Sequence, residues 1–163
     1  MSTTPASVVP IVSDELATFL GEGLSIALGT RDAALAPEGA RIWAVRLDDD
    51  RSHLEAFAYA GGVGPTLANL EANGLMAVVF DRPYDHTACQ LKGVFTGWRP
   101  ARDDERAFVE EHFENLCRTL ELIGLPRALY GPSCRIWPAV ALRMRITDAF
   151  RQTPGPGAGE RMP

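Results

Sequence analysis

Leu24-Ser25-Ile26-Ala27-Leu28-Gly29-Thr30 alternates large aliphatic residues with small ones. Successive side chains of an extended chain point to opposite faces, so Leu24, Ile26 and Leu28 share one face and read as a strand. Just upstream the period is helical. Ser13 is placed to cap a short helix, and Asp14 and Glu15 complement the dipole of its first turn. Leu16, Phe19 and Leu20 form its apolar side, and Gly21 is placed to end it. A helix therefore leads into a sheet.

The period of two recurs downstream. Arg31–Gly39, with Asp32 and Pro37, reads as a connection, and Ala40–Leu47 as a second strand. By parity Arg41, Trp43, Val45 and Leu47 lie on one face of it and Arg46 on the other. Asp48-Asp49-Asp50 is a solvated turn before a third strand, His53–Ala60. The glycine cluster Gly61-Gly62-Val63-Gly64 leads into a short helix starting near Pro65 or Thr66 and ending at Asn73-Gly74. Leu75–Phe80 is a continuous apolar run, expected to be buried on both faces. Thr87–Trp98 is a long strand with Gly93 and Gly97 as bend points. The longest helix is expected from a cap at Asp103 to Ile123, with Phe108, Val109, Phe113, Leu116, Leu120 and Ile123 inward. Val140, Leu142, Met144 and Ile146 then alternate with Ala141, Arg143, Arg145 and Thr147, a half-buried final strand. Six strands with few helices predict a mainly β fold, an antiparallel barrel with helices at its ends.

The 163 residues suit one domain with its own core. The expected division is a loose arm over 1–12, the barrel domain over 13–150 and a Pro/Gly-rich tail over 151–163 that builds no packed element and is loose or draped over a partner. A net charge of −5 argues against binding nucleic acid through its phosphates. The longest uncharged run, Ala56–Leu70, is broken by three glycines and a proline, so no membrane span is expected. The first basic residue is Arg31, leaving no charged leader segment, and a cytoplasmic location is expected. Cys89, Cys117 and Cys134 form no CxxC pair and read as reduced thiols, the first two as packing. His53, His86 and His112 have no metal-ligand spacing, so no metal is expected. GxSxG, Walker and GxGxxG motifs are absent from the sequence.

The order of elements resembles that of the pyridoxamine 5′-phosphate oxidase-like family, the FMN-binding split barrels. The resemblance covers roughly residues 13–150. It is carried by the opening helix with Leu24–Thr30, by Arg41-Ile42-Trp43-Ala44-Val45-Arg46, and by Leu67-Ala68-Asn69-Leu70 with Ala72-Asn73 before the apolar strand. It implies a six-stranded antiparallel split β-barrel, a homodimer, and FMN as cofactor. It also implies an FMN-dependent oxidoreductase acting on a small molecule or a nicotinamide electron donor.

The resemblance makes Arg41 and Arg46 a basic pair for a phosphate or a flavin carbonyl, with Ile42 and Trp43 between them. The family's phosphate loop carries Ser and then Arg or Lys where this chain has Gly64 and Thr66, so the loop cation is missing. Gly62, Gly64 and Thr66 still offer backbone, a helix start and a hydroxyl to an anion. Gln90 and Lys92 share a face of the long strand and are placed to reach a flavin ring. No residue is required as acid or base, and no catalytic residue is named. Set against this is a non-catalytic protein that stores or senses flavin, a deazaflavin or haem, or a structural dimer without a ligand.

Overall fold

The computed structural model describes residues 11–163. The elements are α1 (Asp14–Leu20), β1 (Ser25–Arg31), β2 (Pro37–Leu47), β3 (His53–Tyr59), α2 (Gly64–Asn73), β4 (Leu75–Asp81), β5 (Ala88–Pro100), α3 (Arg106–Glu121), α4 (Arg127–Tyr130) and β6 (Ala139–Arg151). The strands close into an antiparallel barrel in the order β1-β2-β3-β6-β5-β4, β4 pairing back onto β1. The expected mainly β, six-stranded antiparallel barrel is present. No helix among the described residues is long and apolar enough to cross a membrane.

The alternating positions build the barrel core. Leu24, Ile26 and Leu28 of the first strand region meet Leu54, Met76, Val78, Phe80, Leu91, Leu142 and Met144 inside it. Ser13 caps α1, its Oγ accepting from the Leu16 amide at 3.2 Å. Gly93 and Gly97 sit at the two register shifts between β5 and β6, where the long strand bends. A Cβ on Gly93 would lie 2.2 Å from the Arg145 carbonyl oxygen, so the strands meet there only because that atom is missing.

A second apolar layer lies outside the barrel. Val109, Phe113, Leu116, Cys117 and Leu120 of α3 pack on Trp43, Ala44, Phe57 and Ala141. This layer exists because β2 is bulged. Ile42 pairs with Ala58 and Ala44 with Phe57, leaving Trp43 as an extra residue. Trp43 and Ala44 both turn outward, and Val45 returns to the barrel core. The parity reading of β2 is thereby corrected: Val45 and Leu47 face inward, while Arg41, Trp43 and Arg46 all lie on the outer side.

Several other expectations are corrected. Strand β2 begins at Pro37, because Pro37, Glu38 and Gly39 pair with Arg31, Thr30 and Gly29. Strand β4 is buried on one face only. Met76, Val78 and Phe80 are buried, while Ala77 and Val79 are half-buried and Leu75 is exposed. Asp103 does not cap α3; the chain enters through a 3-10 turn whose Glu105 carboxylate accepts from the Arg102 amide at 2.9 Å. The helix ends at Glu121, leaving Leu122 and Ile123 exposed.

The tail is not loose. Gln152 donates to the Ala88 carbonyl and Met162 to that of Ala149, and Met162 packs against the barrel core. Of the arm expected over 1–12, only Ile11 and Val12 belong to the described residues, and Val12 is buried.

Candidate anion cleft and sheet face

Arg41 projects from the outer side of β2. Its guanidinium donates to Ser25 Oγ at 2.7 Å and to the Tyr130 hydroxyl at 3.3 Å. Beside it lies a cleft of about 410 Å³ lined by Gly39, Arg41, Trp43, Tyr59, Gly62 and Val63 on the barrel side. Tyr130, Ser133, Cys134 and Arg135, from α4 and the turn after it, form the other wall. Among the described residues no Asp or Glu lines it. Burial pushes the Tyr130 phenol above its usual value, against the pull of Arg41, so it stays protonated.

Two buried side-chain polar atoms lack a hydrogen-bond partner among the described residues: Trp43 Nε1 and Thr66 Oγ1. A buried donor left without an acceptor is costly, so such atoms mark places where a ligand or water completes the site. Trp43 lines the cleft; its ring packs edge-on against Phe113 at 5.6 Å. Thr66, in the first turn of α2, is fully buried and does not line the cleft.

The uncovered sheet face continues from Arg41. Across the strands Arg41 pairs with Ala27, Ala27 with Val79, and Val79 with Gln90. The next row runs Gly39, Gly29, Ala77 and Lys92. Residues directly opposite in antiparallel strands share a face, so Arg41, Gln90 and Lys92 border a field of glycine, alanine and valine. Three strand spacings of about 4.8 Å separate Arg41 from Gln90, roughly 14 Å. The Lys92 ammonium stands 4.7 Å above the Phe150 ring.

The expected site residues are therefore divided. Arg41, Trp43 and Gly62 meet at the cleft, and Gly64 opens α2 beside it with free space where a Cβ would be. Gln90 and Lys92 join Arg41 on the outer face. Ile42 points into the barrel core and is 1% exposed. Arg46 is held elsewhere. It pairs with Glu55 at 2.5 Å and Glu105 at 2.6 Å, while Arg99 bonds both carboxylates. Glu105 is buried, and its hydrogen bonds from Arg99 hold its carboxyl well below the usual range, against the effect of burial. That network fastens the start of α3 to β2, β3 and β5.

Sequence reasoning missed Tyr130, Ser133, Cys134 and Arg135. The turn signal Gly131-Pro132-Ser133 was their only mark, and 89 positions separate Arg41 from Tyr130. It also missed that Asp48, Asp50 and His53 place possible ligand atoms within 4.8 Å of one another. Those carboxylates already serve Arg143 and Ser52. A larger cleft, about 840 Å³, lies between α1, the start of β5 and the tail. Its Arg82 is already bonded to Glu22, Asp85 and Thr87, and the buried Cys89 thiol at its edge is pushed up to about 12. It offers no free charge from Arg82 and no ready nucleophile.

No family model matches the chain, and no curated protein matches it. Solved structures do. HupZ of Group A Streptococcus is 16% identical with a TM-score of 0.55, covering 91% of this chain and 99% of that one. A putative pyridoxamine 5′-phosphate oxidase of Lactobacillus delbrueckii is 15% identical with a TM-score of 0.54, over 88% and 97%. A pyridoxamine 5′-phosphate oxidase-related, FMN-binding protein of Nostoc punctiforme is 15% identical with a TM-score of 0.51, over 93% and 88%. At such identities the likeness concerns the fold, and this chain has the split-barrel fold of the pyridoxamine 5′-phosphate oxidase-like proteins.

Proposed function

We propose that this chain is an FMN-binding flavoprotein that works as a homodimer and transfers electrons between a nicotinamide donor and a small-molecule acceptor. The observation that carries the reading is the joining of Arg41 to two complementary surfaces. One is a cleft lined by Trp43, whose buried indole N–H is unpartnered, and by no carboxylate among the described residues. The other is a flat run of Gly29, Gly39, Ala27, Ala77 and Val79 with Gln90 and Lys92 at its far side. Arg41 and the Gly62–Val63 backbone would hold the phosphate end. The small-residue face would lie under the ring, with Gln90 and Lys92 near its polar edge. A second copy covering the half-buried Ala77 and Val79 would exclude water from it. The flavin supplies the redox chemistry when bound; the protein binds, orients and shields.

A flavin holder without turnover is the second reading. It is favoured by the absence of a cation at Gly64 and Thr66. An absorbance spectrum of purified protein and an FMN titration test both. Flavin bands or micromolar binding, with Arg41→Ala weakening FMN about tenfold, are expected. Oxidation of a nicotinamide by the loaded protein supports the enzyme, and bound flavin without it supports the holder. A haem or deazaflavin spectrum, or unchanged affinity in Arg41→Ala, counts against FMN held by this cleft.

A further inference from the structure

Opposite the loop that lacks its cation, the cleft has another. Arg135, in the segment preceding β6, lines the same cleft as Arg41. Among the described residues nine arginines are paired with carboxylates: Arg46, Arg51, Arg82, Arg99, Arg102, Arg106, Arg127, Arg143 and Arg161. Neither arginine of the cleft is so paired among the described residues. Arg41 has only the neutral hydroxyls of Ser25 and Tyr130. Two arginines without a carboxylate partner thus line one small cleft of a chain whose net charge is −5.

We propose that Arg135 supplies the second positive charge of a phosphomonoester site, in place of the cation missing at Gly64 and Thr66. A phosphate dianion presents several acceptor oxygens, which suit forked guanidinium donors. Trp43, whose buried Nε1 has no acceptor among the described residues, lines the same cleft. The cleft, about 410 Å³, is at the small end of ligand sites, so it takes the end group while the ring system lies on the sheet face. Identifying the end group as the FMN phosphate rests on the flavin reading above; the anion site itself does not. The arrangement also sets specificity: charge at Arg135 distinguishes a phosphorylated flavin from riboflavin.

Calorimetry of FMN and riboflavin binding to the full chain, to Arg135→Gln and to Arg135→Lys tests this. Arg135 is exposed, so the fold is not at stake. Arg135→Gln is expected to weaken FMN about tenfold, leave riboflavin within about twofold, and be largely rescued in Arg135→Lys. Unchanged FMN affinity, or equal loss for both ligands, overturns the proposal. If the unmodified chain binds neither flavin, the flavin reading fails by itself. Inorganic phosphate followed by tryptophan fluorescence then decides the anion site. A response that Arg135→Gln abolishes supports it, and no response in the unmodified chain overturns it.

Discussion

Gly93 and Glu105 show how single residues set this structure. A methyl group at Gly93 would meet the Arg145 carbonyl oxygen at 2.2 Å and Met144 Cγ at 2.5 Å, one a backbone atom that cannot swing aside. Gly93→Ala should therefore cost about 3 kcal/mol, read as a lowered urea midpoint. Glu105 is a buried carboxylate held by Arg99, Arg46 and Arg102. Its arginine partners are about a third or more exposed, so solvent screens part of the gain. Glu105→Gln should cost about 2 kcal/mol at neutral pH. The sign of the pH effect follows from the lowered carboxyl. The unfolded chain takes up the proton first, near pH of about 4.3. The stabilisation is complete above that pH and is lost as pH falls below it. The gap in urea midpoint between the parent and Glu105→Gln should narrow between pH 7 and pH 3; a constant gap would contradict it.

At the scale of elements, the bulge in β2 and the packing of α3 decide what the cleft is made of. A regular strand would have placed Arg41 and Arg46 on opposite faces, as the alternation in the sequence implied. The bulge puts both outside, and then α3 divides them. Arg46 is taken into the ion pairs at the start of α3, and Arg41 is left at the open end near α4. Phe113 holds that end together, packing edge-on to Trp43 and stacked at 6.2 Å on Tyr130. Phe113→Ala should cost about 3–4 kcal/mol by thermal unfolding and weaken anion binding, since both cleft walls lean on the ring. Unchanged ligand affinity in a folded Phe113→Ala protein would separate α3 packing from the site.

For the whole molecule, the uncovered surface matters most. α3 covers part of β2, β3 and β6, while among the described residues nothing covers Ala27, Gly29, Leu75, Ala77 and Val79 on the outer side of β1, β4 and β5. A second copy on this face would complete both the apolar burial and the ring site. Light scattering should then give about twice the chain mass of 17.7 kDa. Val79→Glu, placing a charge in the middle of that face, should yield a monomer with FMN affinity reduced about tenfold or more. A parent chain that is monomeric with flavin bound would remove the partner from the site.

The sequence by itself determined the order of the six strands, the helix before them, the capping at Ser13 and the bends at Gly93 and Gly97. These are local matters: side-chain period, cap chemistry and the steric freedom of glycine act over a few neighbouring residues. It also put Gln90 and Lys92 on one face of β5, because strand parity places residues on faces reliably where the strand is regular, whereas Arg41 was named by the family resemblance. The bulge at Trp43, the capture of Arg46 by Glu55 and Glu105, and the arrival of Tyr130 and Arg135 at the cleft that Arg41 lines were decided only by tertiary structure. An extra residue in a strand leaves no period to read. A guanidinium is claimed by whichever carboxylate the packing brings near, and the two walls of the cleft are joined through space rather than along the chain.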